Sequence, residues 1–117
     1  MRPPKIPKSI LERRRSIRIT EVLAFRIGNK DYEMEARTLN ISCHGAMCVV
    51  DKDIPMMTQL DIALKLPGQK MIRVKGVVVR KEEDPLNEKF HVAIFFSEIS
   101  PYDTKRLRQF IECRSKG

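Results

Sequence analysis

The sequence predicts an all-β domain: a six-stranded antiparallel β-barrel with one C-terminal α-helix packed on it and a flexible basic arm in front. Three features lead to this fold class. Apolar and polar side chains alternate in six short segments, the connections between these segments show no helical periodicity, and the apolar period becomes helical only after Ser100. Consecutive short strands without intervening helices favour an antiparallel sheet, and closure into a barrel removes its unpaired edges.

The segments expected to form strands are 23–27, 32–38, 46–50, 60–66, 71–80 and 90–96. Residues 28–31 and 42–45 are rich in Gly, Asn, Asp and Ser, which are typical of turns, so the first two strands are expected to form a hairpin. Gly76 interrupts the fifth segment and indicates a bulge or a bend. Segments 51–58 and 81–88 each contain Pro among polar residues and are interpreted as loops.

A helix is expected to begin at Ser100 and Pro101 and to end near Arg114. Ser100, followed three residues later by Asp103, resembles a capping box, and Pro suits the first helical turn. The apolar residues of this segment fall on one helical face, which is expected to pack on the barrel: Leu107, Phe110 and Ile111.

Length and composition fit one domain with its own core, because the chain has 117 residues of which 42% are apolar. We divide it into an arm, residues 1–12, and a single domain, residues 13–117. No apolar run is long enough to span a bilayer and the first residues do not resemble a secretory signal, so a cytoplasmic protein is expected. The odd count of three Cys, without paired spacing, favours reduced thiols over a disulfide framework.

The net charge of +8 is concentrated at one end of the chain. Residues 1–18 carry +6, residues 19–100 carry −1, and residues 101–117 carry +3. A barrel that binds nucleic acid through its folded surface would spread its cations over that surface to neutralise many phosphates. The observed distribution indicates instead a small anion bound locally, or a basic tail of low specificity.

Two short segments are not explained by the strand pattern. The first, residues 12–18, precedes the first strand and contains four Arg; the second, Asn40-Ile41-Ser42-Cys43-His44-Gly45, forms the turn after the second strand. The Arg guanidinium matches phosphate oxygens or the O6/N7 edge of guanine and stacks on bases. Asn and Ser can complete hydrogen bonds to a base edge, while Gly permits positive φ or a close backbone approach.

Arg14-x-x-x-Arg18, followed 22 residues after Arg18 by Asn40-x-Ser42-x-x-Gly45, resembles the RxxxR and (D/N)xSxxG signatures of PilZ domains. The resemblance includes the barrel and the C-terminal helix and covers about residues 12–114. Either motif alone is weak, because such short patterns occur often by chance. Together, in this order and in a chain of this length, they form a strong signal.

The resemblance implies a bacterial receptor for the second messenger cyclic di-GMP. Arg14 and Arg18 would contact the guanine Hoogsteen edge and the phosphates, Asn40 and Ser42 would bond a guanine edge, and Gly45 would shape the turn. Arg13 precedes the first motif at a position that influences whether one or two stacked ligand molecules are held, and an Arg there is compatible with a stacked pair. His44 replaces a second Gly that is frequent in the family.

We expect the arm through Arg18 to be poorly anchored until cyclic di-GMP bridges it to Asn40 and Ser42. The ordered arm would then present a changed surface to an unidentified effector protein. No cofactor other than this ligand is expected.

Two alternatives stay open: a PilZ-like interaction module that binds no nucleotide, and a small basic barrel that binds nucleic acid. The second is less favoured, because the aromatic residues needed for base stacking are sparse and several occupy core positions. An enzyme is not expected, since the sequence has no phosphate-binding Gly-rich loop and no hydrolase or zinc-protease motif. A metal site is not expected either, because Cys43 and His44 are adjacent and point to different sides.

Overall fold

The computed structural model describes residues 18–31 and 33–116 of the chain. These residues form six strands and one helix: β1 (Ala24–Gly28), β2 (Glu33–Ile41), β3 (Gly45–Val50), β4 (Gln59–Leu64), β5 (Ile72–Asp84), β6 (Lys89–Ile99) and α1 (Pro101–Lys116). The arm, residues 1–12, lies outside the described residues, as do Arg13 and Arg14. Within the described residues, α1 is not long and apolar enough to cross a membrane.

The strands form a closed barrel in the order β1-β2-β3-β6-β5-β4, and all neighbouring pairs are antiparallel. This confirms the fold class. Burial alternates along β1 and β4, as the apolar pattern predicts, and the inward side chains of all six strands form one core. The core is dominated by Ile, Leu and Val, which fill a barrel of this size with side chains.

The prediction of a loop over residues 81–88 is wrong for residues 81–84, because β5 continues to Asp84 and only 85–88 form the turn. Residues 81–84 pair with β6 as far as Asp84 opposite Lys89. The hydrophobic pattern misses this extension because its four side chains are charged and none of them is buried. The fourth strand ends at Leu64, two residues earlier than expected, although Leu66 is still fully buried.

Three irregularities in pairing bend the barrel strands. In β2 the pairing shifts between Thr38 and Asn40, and in β5 it shifts at Gly76 and again between Val78 and Arg80. The expected irregularity at Gly76 is therefore confirmed. A Cβ at this position would lie 2.5 Å from Ile94 Cγ2 and 3.0 Å from Ile62 Cδ1, so the side chains of the core already fill the space next to Gly76.

The helix α1 is capped and packed as predicted. The Asp103 N–H donates to Ser100 Oγ at 3.1 Å, and the Thr104 N–H donates to the Ser100 carbonyl at 2.8 Å. The three predicted apolar residues are all buried in the barrel core: Leu107, Phe110 and Ile111.

Replacing Leu107 with Ala should destabilise the whole domain, because this side chain is fully buried between helix and barrel. We expect a loss of about 2 to 5 kcal/mol in the free energy of unfolding, measured by urea denaturation. Lys105→Ala on the exposed face of the same helix is the control and should change it by less than about 0.5 kcal/mol. Equal effects of the two variants would show that the helix does not contribute to the core.

Candidate functional site

The segment before β1 is held against the end of β2. Ile19 and Ile41 form an antiparallel bridge with two backbone hydrogen bonds, Ile19 N–H to Ile41 O at 3.1 Å and Ile41 N–H to Ile19 O at 3.0 Å. Both side chains are buried in the core. The flanking Arg18 is exposed, and its Nη1 donates to Asn40 Oδ1 at 2.8 Å. The structure thus brings one residue of each motif into contact.

This attachment corrects one expectation. Arg18 was expected to belong to a poorly anchored arm, but it is followed directly by a residue of the core and bonds to the barrel through its own side chain. Arg13 and Arg14 remain predictions, because they lie outside the described residues.

The irregularity at Leu39 determines where Asn40 points. Ala36 and Thr38 face the core, so regular alternation would also direct residue 40 inward. The extra residue in β2 places Leu39 and Asn40 on the outer side and returns Ile41 to the core. Sequence reasoning missed this role of Leu39, although the signal was present: the inward residues of β2 are spaced by two and then by three.

Thr38 is a second point at which the segment before β1 is attached to β2. Its hydroxyl accepts a hydrogen bond from the Leu23 N–H at 2.8 Å and donates one to the Glu21 carbonyl at 3.1 Å. Its own N–H donates to the Leu23 carbonyl at 3.0 Å. With 1% of its surface exposed, Thr38 is one of two buried polar residues in the described part of the chain, and both of its hydroxyl bonds serve this attachment.

Ser42 is the other buried polar residue, and its hydroxyl is fully enclosed. Its Oγ accepts a hydrogen bond from the His44 N–H at 3.2 Å and lies 3.4 Å from the Gly45 carbonyl, to which it donates. Its N–H donates to the same carbonyl at 2.9 Å. In this arrangement Ser42 shapes the turn, and the predicted contact between its side chain and a base would require the turn to open.

Position 45 has no space for a side chain, which is why a Gly is required there. A Cβ here would lie 2.3 Å from the Ile94 carbonyl oxygen, because Gly45 pairs with Phe95 at the start of the β3–β6 ladder. Gly45 therefore makes the close backbone approach that Gly permits, and its φ is not positive. His44 also lacks a positive φ, so the turn accepts His at this position without backbone strain.

The helix α1 lies beside both halves of the site. Arg114 Nε contacts Glu21 Oε1 at 2.9 Å, which links the helix to the segment before β1. In the turn, burial raises the pKa of the Cys43 thiol, and the nearby Arg108 guanidinium acts in the opposite direction. One helix therefore supports the segment carrying Arg18 and the turn carrying Ser42.

A sequence model of the PilZ domain matches residues 12–113, most of the chain. The chain belongs to the PilZ domain family. A comparison with curated proteins finds no match.

Solved structures agree with this assignment. The domain is similar to the Bacillus subtilis inhibitor of motility MotI/DgrA, with a TM-score of 0.79, 28% identity, and coverage of 89% of this chain and 52% of that one. It shares the fold of Escherichia coli YcgR solved in complex with c-di-GMP, with a TM-score of 0.74, 15% identity, and coverage of 89% of this chain and 46% of that one. This PilZ domain thus spans about half the length of each of these two chains.

The separate PilZ domain of YcgR, also solved with c-di-GMP, has a TM-score of 0.64 and 19% identity to this domain. The comparison covers 89% of this chain and 96% of that one, so the two domains correspond over nearly their whole length.

Other surfaces of this PilZ domain offer weaker sites. A groove of about 1050 Å³ is lined by residues of β1, β4, β5 and the end of β6, and its charged lining mixes cations with carboxylates, among them Arg26, Arg73, Asp61 and Glu98. Such a lining does not select an anion. Within residues 18–31 and 33–116, no three His, Cys, Asp or Glu side chains are placed to hold a metal ion.

Thr38→Val should loosen the attachment of the segment that carries Arg18. The change keeps the shape but leaves the Leu23 N–H and the Glu21 carbonyl without their partner, so we expect a loss of about 1 to 3 kcal/mol in unfolding free energy. Thr104→Val is the matched control: its hydroxyl bonds a carbonyl near solvent, and the loss there should stay below about 1 kcal/mol. Equal losses in urea denaturation would contradict the role of Thr38.

The three thiols should react in a fixed order with an aromatic disulfide reagent. Cys113 is exposed and reacts first, whereas half-buried Cys43 reacts slowly, and its rate should still rise above pH 9.0 because its pKa is raised. Burial raises the pKa of Cys48 to about 12, so this thiol should react only on unfolding. Cys113→Ser should remove the fast phase alone; modification of native Cys48 at the rate of Cys113 would contradict the order.

Proposed function

We propose that this PilZ domain is a receptor for cyclic di-GMP rather than an enzyme. The observation that carries the proposal is the contact between Arg18 of the first motif and Asn40 of the second, at 2.8 Å on the outer surface of the barrel. The family assignment and the c-di-GMP complexes of YcgR support the choice of ligand.

The two side chains offer complementary chemistry to a guanine nucleotide. Arg18 supplies a planar fork of donors that suits a phosphate or the guanine Hoogsteen edge. Asn40 supplies both a donor and an acceptor. In the described structure these groups satisfy each other, so ligand binding would exchange this hydrogen bond for contacts to the nucleotide. The exchange costs little, because both groups are accessible to solvent.

Arg13 and Arg14 would then complete the site from the amino-terminal side. Ile19 is fixed in the core, so the residues that precede Arg18 are attached to the barrel next to Asn40. Their cations would therefore be present at high local concentration around an anion bound there. Arg14 would bind phosphate or base, and Arg13 would favour a second, stacked nucleotide. Ser42 and Gly45 would serve mainly by holding the turn, as their contacts within it indicate.

Binding would change the outer surface next to Arg18. The ligand would fix the preceding residues against the barrel, and an effector protein that contacts this surface would distinguish the two states. The conformational change would lie before Ile19, since the following segment is already attached to β2 by backbone and side-chain hydrogen bonds.

Isothermal titration calorimetry with cyclic di-GMP tests the proposal. We expect binding, and we expect Arg14→Ala and Arg18→Ala each to weaken it about tenfold or more, because each variant removes a charge-assisted contact of about 1.5 to 3 kcal/mol. Arg26→Ala is the matched control, since Arg26 is an exposed cation of β1 that pairs with Glu33 and Glu35. The stoichiometry of the same titration decides between one ligand and a stacked pair.

The absence of heat at high ligand excess would reject the receptor function and favour a module that binds no nucleotide. Unchanged affinity of both Arg variants, with binding intact, would reject the residue assignment instead. Salt-sensitive binding of arbitrary single-stranded DNA, without a response to cyclic di-GMP, would favour the nucleic-acid alternative.

A further inference from the structure

The second half of β5 has an open side. β4 pairs with β5 only from Ile72 to Val77, whereas β5 continues to Asp84 along β6. The loop before β4 closes one more position, through the Met57 N–H to the Val78 carbonyl at 2.7 Å. Within the described residues no strand lies beside 79–84 on the side away from β6. We call this stretch the β5 edge.

An open edge is a template for another strand, and proteins commonly protect such edges with charge. The β5 edge carries two kinds of charge in separate blocks: Arg80 and Lys81 are followed by Glu82, Glu83 and Asp84. A block of one sign would repel a second copy in every register. Two consecutive blocks of opposite sign instead match an antiparallel copy of themselves, because reversal sets the basic block against the acidic one.

We propose that the β5 edge pairs with the β5 edge of a second copy of this chain, in an antiparallel register centred on Glu82. In an antiparallel pair, the side chains of two opposed residues lie on the same face of the sheet. Two copies related by a two-fold axis meet this condition only if one residue lies opposite its own copy, and in this register that residue is Glu82. This register sets Arg80 opposite Asp84 and Lys81 opposite Glu83, each twice. The central Glu82 is already neutralised by Arg80 of its own chain at 2.8 Å.

Exposed apolar side chains lie at the two ends of this edge. Leu86 at the tip of the β5–β6 hairpin is 94% exposed, and Val79 and Met57 at the other end are 44% and 67% exposed. The proposed register brings Leu86 of the second copy towards Val79 and Met57, so the three would cover one another. Met57 also has a φ of 68°, a backbone conformation that is strained for a residue with a bulky side chain.

Glu83 provides the sharpest test, because it has no ion-pair partner of its own among the described residues, whereas Lys81 pairs with Asp53. Sedimentation equilibrium of the full chain should show a reversible monomer–dimer system. Glu83→Lys sets like charges opposite each other at two places in the dimer, so its dissociation constant should rise about tenfold. Lys81→Glu should have a similar effect.

A mixture of the two variants should recover the dimer. In the mixed pair, lysine 81 of one chain faces Glu83 of the other, and the two substituted positions also carry opposite charges. The recovered affinity should lie close to that of the unchanged chain, which a loss of folding in either variant could not produce. Glu35→Lys is the control: Glu35 lies on β2, at the opposite side of the barrel, with an 81% exposed side chain, and should leave the dimer unchanged.

A chain that stays monomeric at every concentration tested would overturn the proposal. So would a dimer that neither variant weakens, since another surface would then hold it. Mixed variants that fail to associate more tightly than either alone would reject the register. Cyclic di-GMP plays no part in these measurements, so their outcome is independent of the receptor function.

Discussion

The antiparallel bridge between Ile19 and Ile41 is the contact on which the candidate site depends. It ties the chain before the barrel to the end of β2 and buries both isoleucines, which leaves their polar neighbours on the outer face. Arg18 and Asn40 therefore meet because the core requires their neighbours to meet. Folding has already brought the Arg18 guanidinium and the Asn40 amide together, so binding a ligand would not carry the full entropy cost of ordering them. A ligand would find these two groups already oriented.

The remaining motif residues hold this geometry from the side of the barrel. Ser42 is enclosed within its turn, and Gly45 lets β3 approach β6 more closely than any side chain would allow. The turn thus contributes shape, whereas the segment before β1 contributes charge. The helix α1 joins the two, since Arg114 contacts Glu21 and Arg108 lies beside Cys43.

Much of the fold could be predicted from the sequence because each strand buries one face, and alternating burial leaves a direct trace in the residue pattern. The prediction failed at residues 81–84, which are held by backbone pairing to β6 and carry charged side chains that leave no such trace. The helix was predicted down to its cap because both of its signals, Ser100 and the buried stripe, are local.

One contact of the candidate site agrees with the expectation. The resemblance to the two family motifs implied that Arg18 and Asn40 act together, and the structure brings them into contact. The attachment of the segment by Thr38 could not be foreseen, since a buried Thr in a strand resembles any other core residue in sequence. The neighbour that makes Gly45 necessary could not be identified either, because the Ile94 carbonyl belongs to a strand far away in the chain.

The irregularity at Leu39 makes the placement of the site a matter of strand geometry as well as of side-chain identity. Regular pairing of the same residues would turn Asn40 towards the core and Ile41 towards solvent, although both motifs could still be read in the sequence. Two PilZ domains with the same motif letters can therefore differ in whether the amide reaches the surface, according to whether the second strand carries this irregularity. Counting the residues between inward positions of β2 separates these cases, which matching the motif alone does not.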